Sequence, residues 1–281
     1  SSARISKDKL HKNIDEEDLS IFLNQIFRKK KFREAQCKSI INIIQQQDSA
    51  ILLPTGAGKS LIYQLAGLLM PGITIVIDPI IALIEDQVQG LKEHGIDRAI
   101  GIYGNMTKDP NTMKYVLSEI KKSQFHFIFM SPERLQIPSF RESLNQLTQS
   151  SLVNLAVIDE AHCVSSWGHD FRPSYMMMVK KVIPSLNHET SALFTTATAD
   201  NKVIEDLSDR NNFTKTIKGD LLRKSLSVHS FGRQSFKFSI AWFKKNIDTL
   251  QGSGIIYVLT VERANAVAQY LRNEVGISAQ A

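Results

Sequence analysis

Short apolar runs recur along the chain at Ala50–Leu53, Ile73–Asp78, Ala99–Tyr103, Phe125–Met130, Leu155–Ile158 and Ala192–Thr195. Nearly continuous hydrophobicity over four to six residues is what a strand needs when both faces of its sheet are covered, as in parallel sheets. The segments between them, such as Leu61–Met70, Ile80–His94 and Thr112–Lys122, are long enough for crossover helices. This alternation predicts a doubly wound α/β domain, a parallel sheet with helices on both faces. Before the first run, apolar residues at helical spacing (Ile21, Phe22, Ile26, then Cys37, Ile40, Ile41, Ile44) predict two helices broken near the basic stretch Arg28–Phe32.

These patterns divide the chain into a polar lead-in (1–18), one large α/β domain (19–215), a connection (216–250) with a short strand at Ser225–Ser230, and a final unit (251–281). That last unit reads as a strand, Gly254–Leu259, followed by a helix, Val261–Asn273. A lone strand–helix unit cannot bury its own apolar face, so it is expected to be the start of a second domain, truncated at Ala281. The two cysteines, Cys37 and Cys163, are far apart and outside any Cys-x-x-Cys pair, which argues against a disulfide framework or a structural zinc site. No run of 18 apolar residues suggests a membrane span. The net charge of +6 over 281 residues suits a polyanionic partner, although charge alone fits many proteins that bind none.

The most specific local pattern is Pro54-Thr55-Gly56-Ala57-Gly58-Lys59-Ser60, set between the strand Ile51-Leu52-Leu53 and a helix opening at Leu61. Glycines allow a tight loop that aims several N–H groups at one point, and the following helix N-terminus favours an anion. Lys59 can reach the β- and γ-phosphates of a nucleoside triphosphate, and the Ser60 hydroxyl can ligate Mg2+. The longer form of the motif would place glycine where Leu53 stands. A second pattern closes another strand: Leu155-Ala156-Val157-Ile158 runs into Asp159-Glu160-Ala161-His162. Paired carboxylates at the end of a buried strand need neutralising. Mg2+ held by Asp159 would do so, and Glu160 would orient or deprotonate an attacking water.

With these residues in place the chain resembles the RecQ family of superfamily 2 DNA helicases. The resemblance rests on Phe32-Arg33-Glu34-Ala35-Gln36, on Leu53–Leu61, on Ser131-Pro132-Glu133-Arg134-Leu135, on Thr196-Ala197-Thr198-Ala199, and above all on the run from Asp159 through Trp167-Gly168-His169-Asp170-Phe171-Arg172-Pro173. It implies a RecA-like fold, ATP and Mg2+ as cofactors, and single-stranded and duplex DNA as partners. It implies that Arg33 and Gln36 read adenine, although the family's Arg-Pro-Gly-Gln is Arg33-Glu34-Ala35-Gln36 here and Lys29 replaces an aromatic that stacks near the base. Trp167, His169, Phe171 and Arg172 would form an aromatic-rich loop that stacks on unpaired bases, with His162 relaying DNA occupancy to the hydrolysis site; Trp167 and Phe171 also suit core packing. Thr196 and Thr198 would couple nucleotide state to domain movement. Asp78-Pro79-Ile80-Ile81 and Ser131–Leu135 would line the DNA track, where Asp78 replaces the usual serine and would repel a phosphate.

The expected activity is ATP-driven, 3′-to-5′ DNA unwinding in repair or recombination, in a bacterial nucleoid or a eukaryotic nucleus. The family's later motifs, an arginine finger among them, do not occur in these 281 residues. The chain by itself is therefore expected to turn ATP over poorly. Another superfamily 2 motor acting on RNA or duplex, or a non-motor module that binds nucleotide and DNA, remains open on the residues alone.

Overall fold

The computed structural model describes residues 14–104, 110–122, 124–138, 140–142, 144, 153–165, 172–177, 179–180, 190–197, 205, 207, 215–219, 227, 229–232, 234–250 and 252–281. The predicted runs become strands β1 (Ser49–Leu52), β2 (Ile73–Ile77), β3 (Ala99–Ile102), β4 (Phe127–Met130), β5 (Val153–Ile158) and β6 (Ser191–Thr196), and Lys215–Lys218 adds β7. All pairings are parallel, in the order β3-β4-β2-β5-β6-β1-β7.

Alternation along these strands builds two cores. Ile73, Ile75 and Ile77 of β2, Ile128 and Met130 of β4, and Ala156 and Ile158 of β5 face one side. Val76, Phe127, Phe129, Leu155 and Val157 face the other. Helices α1 (Glu16–Phe27), α2 (Gln36–Ile44), α3 (Lys59–Leu69) and α4 (Ile81–Glu93) cover the second side with Leu19, Leu23, Ile40, Ile62, Leu65 and Ile84. Helix α5 (Pro110–Lys121), the 3-10 turn Pro132–Gln136 and the short helix α6 (Pro173–Met177) cover the first with Val116, Ile120, Leu135 and Tyr175. Each such side chain contributes about 1.5–3 kcal/mol by leaving water.

Caps define the lead-in. Asp15 opens α1 with a capping box, accepting from the Asp18 N–H at 3.0 Å while the Asp18 carboxylate reaches the Asp15 N–H. The helix stops at Phe27, and Arg28 turns into the left-handed region at φ +53°. The expected break near Arg28–Phe32 is therefore a helix end followed by a basic loop.

Residues Ser1–Arg223 form one compact unit and Lys224–Ala281 a second. The second unit holds α7 (Phe236–Asn246), capped by Ser235, and α8 (Val261–Tyr270), capped by Thr260. Val267, Ala268 and Leu271 are buried. The strand expected at Gly254–Leu259 does not form, because no strand among the described residues pairs with it, and all its residues but the half-buried Val258 are exposed. The expected helix Val261–Asn273 ends at Tyr270, where a π-turn, Leu271–Val275, takes over. The strand expected at Ser225–Ser230 falls mostly outside the described residues, and Ser227, His229 and Ser230 are not in a strand. Among the described residues no helix is long and apolar enough to cross a membrane.

Candidate nucleotide and hydrolysis site

Parallel strands all deliver their C-terminal ends to one edge, where ligands bind in such sheets. Here that edge collects the loops after β1, β2, β5 and β6. The loop after β1 folds through Gly56 and Gly58, at φ +79° and +84°. Gly58 is the N-terminal boundary of α3, with no side-chain cap, so the first-turn N–H groups are left for an anion. A Cβ at Gly58 would also stand 2.5 Å from Gln36 Nε2. Backbone conformation and space both require glycine there.

Lys59 begins α3 and crosses the C-terminal edge to β5. Its Nζ lies 3.4 Å from Glu160 Oε1 and 3.9 Å from Asp159 Oδ1. This contact unites the two patterns that the sequence places a hundred residues apart. Asp159 is buried at the end of β5, where its N–H donates to the Ile77 carbonyl at 2.9 Å. The Thr195 hydroxyl donates to its carboxylate, and the Tyr175 hydroxyl donates to its carbonyl at 3.0 Å. Burial pushes the Asp159 carboxyl up, against the pull of Lys59 and the Thr195 bond.

Glu160 is driven the other way. Its hydrogen bond with His162 is the largest influence holding it below the usual range, and Lys59 adds to it. The two adjacent carboxylates are thereby differentiated by surroundings alone. Glu160 also adopts φ +47° and ψ +48°, a left-handed conformation that costs a non-glycine residue about 1 kcal/mol or more and recurs at functional sites. His162 Nδ1 lies 3.3 Å from Glu160 Oε2 and 3.0 Å from Thr196 Oγ1. Thr195 and Thr196, on opposite faces of β6, thus tie that strand's end to both carboxylates. The sequence placed Thr195 at the head of the same hydroxyl-rich stretch as Thr196, and it is Thr195 that touches Asp159. The sequence passed over Tyr175, whose signal was only a tyrosine two residues beyond Pro173.

Two predicted site residues gain a structural setting, and the expectation for Asp78 changes. Gln36 is 2% exposed, and its amide is turned onto the chain itself. Nε2 donates to the carbonyls of Ala57 and Gly58 at 2.8 and 3.2 Å, and Oε1 accepts from the Arg33 N–H at 2.9 Å. The Arg33 guanidinium donates to the Gly56 carbonyl. Both residues brace the phosphate loop. Asp78 does not face a DNA track: it is 2% exposed, it accepts from the Ile80 N–H at 2.9 Å, and burial raises its pKa to about 7. Its buried carboxyl shapes the turn into α4. Arg172 reaches back to the same turn, donating to the Pro79 carbonyl at 3.3 Å. Trp167, His169, Phe171 and Thr198 lie outside the described residues.

Among the described residues no cluster of three or more His, Cys, Asp or Glu side chains is arranged to hold a metal. The oxygen donors nonetheless fit Mg2+, which takes few protein ligands and completes its shell with phosphate and water. The Ser60 hydroxyl stands at the head of α3, and the buried Asp159 carboxylate has one ammonium to balance it at 3.9 Å.

The DEAD/DEAH box helicase family matches residues 33–207. The probable ATP-dependent DNA helicase RecS of Bacillus subtilis is 32% identical over 254 residues, which cover 90% of this chain and 49% of that protein. The ATP-dependent DNA helicase RecQ of the same organism is 33% identical over 258 residues, 90% of this chain and 42% of its own length. The RecQ-like DNA helicase BLM of Xenopus laevis is 33% identical over 275 residues, 92% of this chain and 19% of that one. The chain thus spans half or less of these relatives. Among solved structures, the DEAD-box helicase Mss116 bound to ssRNA and UDP-BeF superposes with a TM-score of 0.54 at 16% identity, over 76% of this chain and 46% of that one. A hypothetical ATP-dependent RNA helicase from Sulfolobus tokodaii gives 0.52 at 17%, over 70% and 56%. At that identity the two structures show the fold, which is RecA-like. Sequence identity of about a third across nine-tenths of the chain adds the family: this chain belongs to the RecQ family of superfamily 2 helicases.

Proposed function

We propose that the protein is an ATP-dependent DNA helicase that couples hydrolysis to 3′-to-5′ movement along one strand and to duplex unwinding. The observation that carries this reading is the meeting of Lys59 with Asp159 and Glu160, which joins the phosphate loop to the carboxylate pair. In this arrangement the first-turn N–H groups of α3 and Lys59 hold the triphosphate. Mg2+, bound through Ser60 and Asp159, would neutralise charge on the phosphate oxygens. Glu160, kept ionised by His162 and Lys59, orients a water for in-line attack on the γ-phosphorus. A bond forms from the water oxygen to phosphorus as the bond to the ADP oxygen breaks, and the water's proton passes to the Glu160 carboxylate.

The link from Glu160 through His162 to Thr196, and from Asp159 through Tyr175 and Arg172 to Pro79, gives two routes by which DNA could adjust the carboxylates. Trp167 and Phe171 are the residues we assign to base stacking. The nucleoid or nucleus is where such an enzyme would act. The test is ATPase activity and strand separation by the full-length protein, with single-stranded DNA and RNA compared as activators, beside Lys59→Ala and Trp167→Ala. Stimulation by DNA that Trp167→Ala removes supports the reading. Stimulation by RNA alone, or function untouched by Lys59→Ala, would overturn it.

A further inference from the structure

We propose that Tyr175 is a positioning residue for hydrolysis: its buried hydroxyl fixes the peptide between Asp159 and Glu160, and through that peptide the direction in which the Glu160 carboxylate points. This role rests on the reading of Glu160 as the group that orients the attacking water.

The ladder of β5 ends where this peptide begins. Ile158 is the last β5 residue in register with Ile77 and Phe194, and the Asp159 N–H makes the closing bond to the Ile77 carbonyl. Asp159 is thus held through its backbone, and the Thr195 hydroxyl holds its carboxylate. The next peptide has no strand to follow. Its carbonyl, that of Asp159, accepts from the Tyr175 hydroxyl at 3.0 Å, and its N–H, that of Glu160, donates to Asp159 Oδ1 at 2.9 Å. Rotating a peptide plane changes ψ of the residue before it and φ of the residue after it. With Asp159 pinned, the change falls on Glu160. Glu160 is also where the backbone is least favourable, at φ +47° and ψ +48°. Such a conformation persists only where its surroundings impose it. The Tyr175 hydroxyl is one of those constraints, and the bond from the Cys163 N–H to the Glu160 carbonyl at 2.9 Å is another.

Tyr175 is itself held firmly. It is 0% exposed, and its ring lies in the core on the first side of the sheet. Its N–H donates to the Arg172 carbonyl, and the Arg172 N–H donates to the Cys163 carbonyl, both at 3.0 Å. These bonds tie the start of α6 to the turn that follows Glu160. Burial pushes the phenol well above its ordinary range, so the hydroxyl keeps its proton and stays a donor. Phenylalanine would fill the same space, but it would leave the Asp159 carbonyl without this donor in a buried setting. A carbonyl stranded in that way gains by turning toward another partner, and Glu160 would turn with it.

The experiment compares Tyr175→Phe, Glu160→Gln and the double variant with the parent, all as full-length protein. It measures DNA-stimulated ATPase and, separately, equilibrium binding of a fluorescently labelled ATP with Mg2+. In Tyr175→Phe, kcat is expected to fall about tenfold or more, a share of the roughly 100- to 10,000-fold that a positioned base contributes. KM and nucleotide affinity should stay within about twofold of the parent, because the phosphate loop and Lys59 are untouched. In the Glu160→Gln background, Tyr175→Phe should lower the residual rate by less than about twofold, since a residue that acts through another is silent once its target is gone. Three results would each overturn the inference and leave the Glu160 reading standing: an unchanged kcat, nucleotide binding lost together with activity, or losses that multiply in the double variant. Glu160→Gln hydrolysing ATP at the parental rate would overturn both.

Discussion

Ile51-Leu52-Leu53 and Ile255-Ile256-Tyr257-Val258-Leu259 are the same kind of sequence, yet they end in opposite situations. The first lies between β6 and β7 with every residue buried, and it delivers a glycine loop and Lys59 to the edge of the sheet. The second forms no strand; Ile255, Tyr257 and Leu259 are 78, 89 and 91% exposed. Apolar character makes a segment capable of being a strand. A neighbour with matching register makes it one, because an unpaired strand leaves its N–H and C=O groups to water and gains nothing for its side chains. Function follows the same division, since a strand can aim a residue only if the sheet holds it.

The largest expected contrast is in activity. Lys59→Ala should lower DNA-stimulated kcat by about a hundredfold or more, as expected when a charge aimed at the transferring phosphate is removed. An alanine enzyme within tenfold of the parent would mean that β1 does not deliver the catalytic cation.

Stability should show the contrast next. Ile51→Ala is expected to cost about 3 kcal/mol in urea unfolding, the usual penalty for a buried isoleucine. Ile255→Ala should change it by under about 0.5 kcal/mol. Equal costs would show that the second run is packed in solution, and the comparison would fall.

Asp78, at the end of β2, sharpens the point for a buried charge. Its pKa is raised from the usual 3.8 to about 7 by burial, so the folded state holds its proton more tightly than the unfolded chain. The resulting stability is full below pH 4 and is lost as pH rises through about 7. Asp78→Asn keeps the acceptor for the Ile80 N–H but does not titrate. It should gain stability over the parent across that window and hold the gain above it, by about 1–2 kcal/mol against a ceiling near ~4. A variant whose advantage does not grow with pH would remove the buried carboxyl as its cause.

The smallest effect concerns the brace behind β1. Ala35 sits at φ +66°, a left-handed position that favours glycine. Ala35→Gly should relieve about 1 kcal/mol of backbone strain and return part of it as unfolded-state entropy, for a net gain of about 0.5 kcal/mol. A drop in melting temperature would show that Ala35 is unstrained.

Much of this was legible in the chain itself. The spacing of apolar runs announced the parallel sheet, since burial on both faces leaves no room for polar alternation. The strand–loop–helix around Gly56–Ser60 and the carboxylates after Ile158 were legible because backbone geometry and charge neutralisation demand those residue types. The roles of Gln36, Asp78, Thr195 and Tyr175 were not. Each depends on what the side chain meets across the fold: loop carbonyls for Gln36, a turn N–H in a dry pocket for Asp78, the two sides of Asp159 for Thr195 and Tyr175. Residue type and order alone determined which segments could be strands and where phosphate could sit. Only tertiary packing decided which strands exist and which way a buried amide or carboxyl turns, because hydrogen-bond partners and desolvation belong to neighbours in space and not to neighbours along the chain.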